Sequence, residues 1–239
     1  MRIRTIAVIL TAAVGLGLLT GRFVLPARST AADAVASPSG TPSTGAKPAD
    51  GPVTDRNLLT PDAFGLSQRV HVRDRFGDGR YANAACAGEK TLSQTLGGPG
   101  AHFRGFVTIE NTDPDDPTLA VDLKDQVARE VAADAGTATL AQNFAERLLL
   151  EEVPCQTEPA GHWVYGPTRT ITVAPGVTAS WMGTYGGDLN TTGAAPRGKE
   201  PCGGIAVLRS GSHYGVLEVG ACLDTAAMTR IVRTAVTRL

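Results

Sequence analysis

From Cys202 to Cys222 the chain reads CGGIAVLRSGSHYGVLEVGAC. Two apolar runs, 205–210 and 214–219, meet at Gly211 and Ser212, and a cysteine closes each end. Short apolar runs broken by such a turn pair read as the strands of a hairpin. In a hairpin centred on Ser212, opposed residues have numbers that sum to 424, and Cys202 and Cys222 meet that sum. Opposed residues in an antiparallel pair have Cα atoms roughly 4.5 or 5.5 Å apart, within the span of a disulfide. A two-residue turn at Gly211-Ser212 would give 423 and set Cys202 against Ala221. A Cys202–Cys222 bridge therefore predicts an odd-length loop, with Gly211 free to take positive φ.

The chain holds four cysteines, so this pairing leaves Cys86 with Cys155. Zinc is the rival reading. It favours cysteines two to four residues apart with histidines at similarly short spacing. Here successive cysteines are 69, 47 and 20 residues apart, and no histidine accompanies them in that way. An even number of widely spaced cysteines fits disulfides formed outside the cytoplasm.

The N-terminus supports that location. Arg2 and Arg4 precede an uncharged run from Ile6 to Gly21, the layout of an export signal. Small-residue cleavage sites lie at 29–31, 32–34 and 34–36. A cleaved signal and an uncleaved anchor, with Arg22 reaching toward the headgroups, both fit residues 1–28. Residues 29–54 are almost wholly Ser, Thr, Ala, Pro, Gly and Asp. Such a segment buries too little apolar surface to offset its ordering entropy and reads as a disordered linker, reaching roughly 28 Å. Residues 55–239 then form one globular domain at the cell surface or beyond it. Five basic and two acidic groups lie in residues 1–50, leaving seventeen basic and twenty-one acidic groups after them. An acidic body gives no electrostatic case for nucleic acid. Membrane contact is expected only through the N-terminal segment.

The body reads as α+β, an antiparallel sheet of four to six strands with helices packed on it. Thr60-Pro61-Asp62 opens a first helix. RVHV (69–72) and RGFVTIEN (104–111) read as strands. Asp116-Pro117 starts a helix carrying Ala120, Leu123, Val127 and Val131, which Gly136 ends. A second helix follows with Leu140, Phe144 and Leu148 on one stripe, stopping before Pro154. HWVYGPTRTITV (162–173) and VTASWMGTY (177–185) are strands joined at Ala174-Pro175-Gly176. Asp224 caps a final amphipathic helix whose stripe is Met228, Ile231, Val232, Ala235, Val236 and Leu239.

No catalytic set emerges. There is no G-x-S-x-G elbow. His71, His102, His162 and His213 are dispersed, and Ser212-His213 point to opposite strand faces. NTDPDDPTLAVD (111–122) imitates a calcium loop, but its sixth position is Asp116 instead of glycine and its twelfth is Asp122 instead of glutamate. GDG at 77–79 is too slight for a phosphate loop. No metal, cofactor or catalytic residue is assigned. Aromatic residues number twelve, so their clustering carries weight. Trp163 and Tyr165 share one strand face, and Trp181 and Tyr185 share another. If those strands pair, the four form either a core wall or a ligand-facing platform with Arg169 and Glu218 as polar partners.

Four features together resemble the PknH-like extracellular sensor domain of actinobacterial receptor kinases and their secreted relatives. They are LLTPDAF (58–64), the distant pair Cys86 and Cys155, the close pair Cys202 and Cys222 around a hairpin, and the helix after Cys222. The likeness spans residues 55–239 and implies a mixed α/β domain with two disulfides and a groove for an extracellular ligand. The departures are the absence of a kinase domain and of a lipid-anchor cysteine in these 239 residues. The expected function is a non-enzymatic extracytoplasmic ligand-binding domain of sensor type, secreted or tethered, whose unidentified ligand is a cell-wall component or small molecule. Two alternatives remain. One is a secreted hydrolase using dispersed acids such as Glu110, Glu151 or Glu218; the other is a wall-associated interaction protein with no small ligand.

Overall fold

The computed structural model describes residues 47–76, 96–108, 125–149, 164–186 and 195–239. Several features expected from sequence lie outside these residues: the apolar run at 6–21, Cys86, Cys155, Trp163, the Asp116-Pro117 helix start, the 111–122 loop, Glu110 and Glu151. None of the described helices is long and apolar enough to cross a membrane.

Among the described residues, eight strands form one antiparallel sheet. They are β1 (His71–Phe76), β2 (His102–Val107), β3 (Gln126–Asp134), β4 (Val164–Tyr165), β5 (Arg169–Ala174), β6 (Val177–Tyr185), β7 (Gly204–Ser210) and β8 (His213–Val219). The order is β1-β2-β3-β8-β7-β6, and both β4 and β5 pair with β6. The class is α+β as expected, with more strands than the four to six anticipated. Part of the shortfall is β3, where a helix was expected. Val127, Ala128, Val131, Ala132 and Ala133 are all buried, so both faces of this strand are covered and no alternation marks it. The four-residue spacing of Val127 and Val131 is fortuitous. Pairing with β2 and β8 on either side overrides local helical spacing. Gly136, with φ 78°, ends a strand instead of a helix.

Helix α1 (Ala138–Arg147) and helix α2 (Thr225–Arg238) cover opposite faces of the sheet. Thr137 caps α1, its hydroxyl accepting from the Leu140 amide at 3.2 Å. The expected stripe is rotated. Leu140 stands 43% exposed, while Ala141 and Leu148 are buried and Phe144 packs on Tyr214 with ring centroids 5.1 Å apart. Helix α2 follows the sequence reading. Asp224 accepts from the Ala227 amide at 2.8 Å, and Met228, Ile231, Val232, Ala235, Val236 and Leu239 are all buried. Thr60 and Pro61 do open a helical turn, but it is a 3-10 turn (Pro61–Phe64) ended by Gly65.

The β7–β8 hairpin departs from the expected register. Ser210 pairs with His213 and Gly204 with Val219, so opposed residues sum to 423 and the turn is the two residues Gly211-Ser212. Gly211 takes φ 59°, and a Cβ there would collide with the Ala49 carbonyl oxygen. The Cys202–Cys222 disulfide nevertheless forms, because it lies beyond the ladder. Past Gly204 and Val219 the two chains no longer pair straight across. Gly203, at φ 79°, donates to the Leu223 carbonyl, and the Gly220 and Ala221 amides both donate to Val127 of β3. These local departures absorb the one-residue offset that an odd-length loop was expected to supply.

The end of the Pro-rich stretch is held by the body. Ser212 donates its amide to the Ala49 carbonyl, and the Ala49 amide donates to Ser210 Oγ. The two ring nitrogens of buried His213 face the carbonyls of Gly51 and Leu239, and Val53 is buried.

Candidate functional site

The hydroxyl-bearing face of β5 and β6 lies on the α1 side of the sheet. Its residues alternate with buried ones: Thr170 and Thr172 flank Ile171, while Thr178 and Ser180 flank Ala179. Antiparallel register sets Thr170 beside Ser180, their hydroxyls 3.1 Å apart, and sets Thr178 between Thr172 and Arg209 of β7. Between this grid and α1 runs a groove of about 200 Å³. Gln142 and Glu146, one helical turn apart, form its other wall. Polar contacts link the walls. Arg209 Nε donates to Thr178 Oγ1 at 3.4 Å, Arg209 Nη1 to Gln142 Oε1 at 3.5 Å, and Gln142 Nε2 to Glu146 Oε1 at 2.9 Å. Val207, Ala145 and Leu149 give the groove apolar contact surface. A larger, more open recess of about 670 Å³ lies between residues 47–50, the start of α1 and the Gly211-Ser212 turn.

The residues singled out from sequence do not converge. Arg169 and Trp181 are direct cross-strand partners, and the guanidinium sits 5.4 Å from the indole centroid. Such contacts contribute about 0.5–1 kcal/mol at an exposed position. Trp181 is itself buried in the α2-side core. Tyr185, four residues on, is also buried and has the same strand parity as Trp181. Tyr165 pairs with Thr184 and is buried in the α1-side core, on the other face. Tyr165, Trp181 and Tyr185 are thus each buried but do not share one face of the sheet, and Trp163 lies outside the described residues. Glu218 lies on β8 and forms an ion pair with Arg129 of β3.

The hydroxyl grid was not singled out from sequence, because Thr and Ser are common and carry no sign of convergence until strand register is known. It also missed a buried charged cluster on the opposite, α2-side face. His102 and Arg104 alternate with Phe103 and Gly105 along β2, so both project to one side. Arg104 grips Asp74 of β1 through two bonds of 2.6 Å, and His102 Nε2 lies 3.7 Å from Asp74 Oδ2. Burial pushes the Asp74 carboxyl upward, but hydrogen bonds from Arg104 and His102, with their charges, outweigh it and hold the group down at about 2. The Asp74 bond, opposed by burial, raises Arg104. Glu130 of β3 is wholly buried, which pushes its carboxyl up to about 7 despite the Leu59 amide donating to Oε2 at 2.7 Å. Arg104 Nη1 also donates to the carbonyls of Asp55 and Leu59, and Arg238 Nε donates to that of Leu58. These charges engage the 3-10 turn Asp55–Asn57 and the two residues after it, which makes the cluster a clasp on that segment.

Among the described residues no group of His, Cys, Asp and Glu side chains is placed to hold a metal ion. In the groove, side-chain donors and acceptors of the described residues converge around open volume. No protein-family model, curated protein or solved structure matches the chain.

Proposed function

We propose that the protein is a non-enzymatic extracytoplasmic ligand-binding domain of sensor type, exported by residues 1–28 and either tethered by them or released. The observation that supports this reading best is the groove beneath α1, where hydroxyl, amide, carboxylate and guanidinium groups face one volume of about 200 Å³. A hydrolase based on Glu218 is less favoured, since that carboxylate is already engaged by Arg129. The resemblance to PknH-like sensor domains, the extracytoplasmic location and a second disulfide between Cys86 and Cys155 belong to the same proposal. Non-reducing peptide mapping tests the disulfide: a Cys86–Cys155 peptide pair is expected, and free thiols at both positions would remove that support.

The binding reading is tested by thermal unfolding of the full chain against cell-wall fragments, sugars, lipids and small metabolites. A ligand that binds only the folded state raises the midpoint by mass action, by about 2.7 kcal/mol of stability at a hundred times its Kd. At least one class is expected to do so. If none does, and the purified protein turns over a substrate instead, the proposal fails.

A further inference from the structure

Resting on the ligand-binding reading above, we infer that the groove beneath α1 holds one neutral sugar ring, as a free monosaccharide or as a residue of a glycan. The polar groups are of the kind that read sugar hydroxyls. Thr170, Thr178 and Ser180 each both donate and accept, Arg209 only donates, and Glu146 when ionised only accepts. A ring hydroxyl also donates and accepts, so it can bridge neighbouring groups in this set. The Arg209 bonds to Thr178 and Gln142 are 3.4 and 3.5 Å, at the long end for hydrogen bonds. An incoming hydroxyl can replace either at little cost.

Charge narrows the class. Arg209 and Glu146 both line the groove and carry opposite signs. An acidic ligand gains from one and is opposed by the other, and a basic ligand meets the reverse balance. A neutral ligand uses both as charge-assisted partners. Val207, Ala145 and Leu149 offer apolar surface for the C–H face of a ring. Size narrows it again. The volume of about 200 Å³ is below the roughly 300–1,000 Å³ that encloses a drug-sized molecule, and suits a single ring.

The test is calorimetric or NMR titration of the full chain with glucose, N-acetylglucosamine, glucuronate, glucosamine and cellobiose. Tryptophan and succinate serve as ligands that are not sugars. A neutral sugar is expected to bind in the millimolar range. Ser180→Ala and Arg209→Gln are each expected to weaken it about tenfold, the scale of one lost hydrogen bond. Thr184→Ala alters the strand of Ser180 outside the groove lining and should leave affinity unchanged, with thermal midpoints confirming that each variant folds. Tighter binding of cellobiose than of glucose assigns the site to a glycan, and equal binding assigns it to the monosaccharide. Glucuronate or glucosamine bound more than tenfold tighter overturns the neutral assignment. Sugar binding untouched by both groove variants overturns the location. Binding of tryptophan or succinate with none of any sugar overturns the inference while leaving the ligand-binding reading intact. Failure of both this panel and the wider library overturns the two together.

Discussion

Glu130 has a carboxyl in a fully buried position, with its neighbour Arg104 already committed to Asp74. Its charged form therefore lacks a dedicated partner, which is why burial raises it to about 7. A group raised on folding contributes stability that is whole below its unfolded value and is lost as pH rises through the folded one. The protein should thus lose stability between about pH 4.5 and 8, by on the order of 3 kcal/mol from this residue. Glu130→Gln keeps an oxygen for the Leu59 amide and should flatten that decline in denaturant midpoint against pH. A wild-type profile already flat over this range would contradict the assignment. Asp74 works in the other sense. It is held down to about 2, so its contribution is present above the ordinary carboxylate range and fades as pH falls through 2. Asp74→Asn removes a charge-assisted pair from Arg104 and should cost about 1.5–3 kcal/mol at neutral pH, read as a lower denaturant midpoint. Neither residue was legible beforehand. A single Asp, His, Arg or Glu in a strand carries no sign of its cross-strand neighbours until register is known. The aromatics drew attention because they are scarce, yet Tyr165, Trp181 and Tyr185 are all buried, Tyr165 and Trp181 in the cores of opposite faces.

Among elements, the last two strands and the last helix were readable from sequence, and β3 was not. The β7–β8 hairpin announces itself through a glycine turn between apolar runs, and α2 through its cap and stripe. Strand β3 has neither signal, since it is buried on both faces and is specified by the strands that flank it. The hairpin's register was misjudged by one because the disulfide was assumed to lie within the ladder. Two predictions follow from the geometry found. Gly211→Ala forces a side chain into a left-handed turn and against the Ala49 carbonyl. It should lower stability by at least 1–3 kcal/mol, measured by chemical denaturation, and should do so even with the disulfide intact. Replacing Cys202 and Cys222 together with serine should cost about 3 kcal/mol, the scale of a loop of this size. An unchanged denaturation midpoint in either variant would refute the corresponding account.

The described body is a three-layer molecule, with one helix on each face of a wide sheet. Its α+β class could be read from the two runs joined at Ala174-Pro175-Gly176 and from the α2 stripe. Its layering could not, because only the packed sheet shows that β7 and β8 are buried on both sides. The pinning of residues 49–53 was equally hidden, since their composition matches the linker before them. A chain starting at Val53 should be less stable than one starting at Lys47 by about 1–2 kcal/mol, because Ser212 and His213 lose backbone partners. Equal denaturation midpoints would show those contacts to be incidental.

Strand β8 stands between β3 and β7, yet it is the last of the eight described strands in sequence. Whatever order the chain emerges in from amino to carboxyl end, β3 comes out some eighty residues ahead of the strand that completes its hydrogen bonds. Until β8 arrives, the apolar edge of β3 is an open template for another chain. A newly made chain therefore passes through an interval in which folding competes with aggregation at that edge.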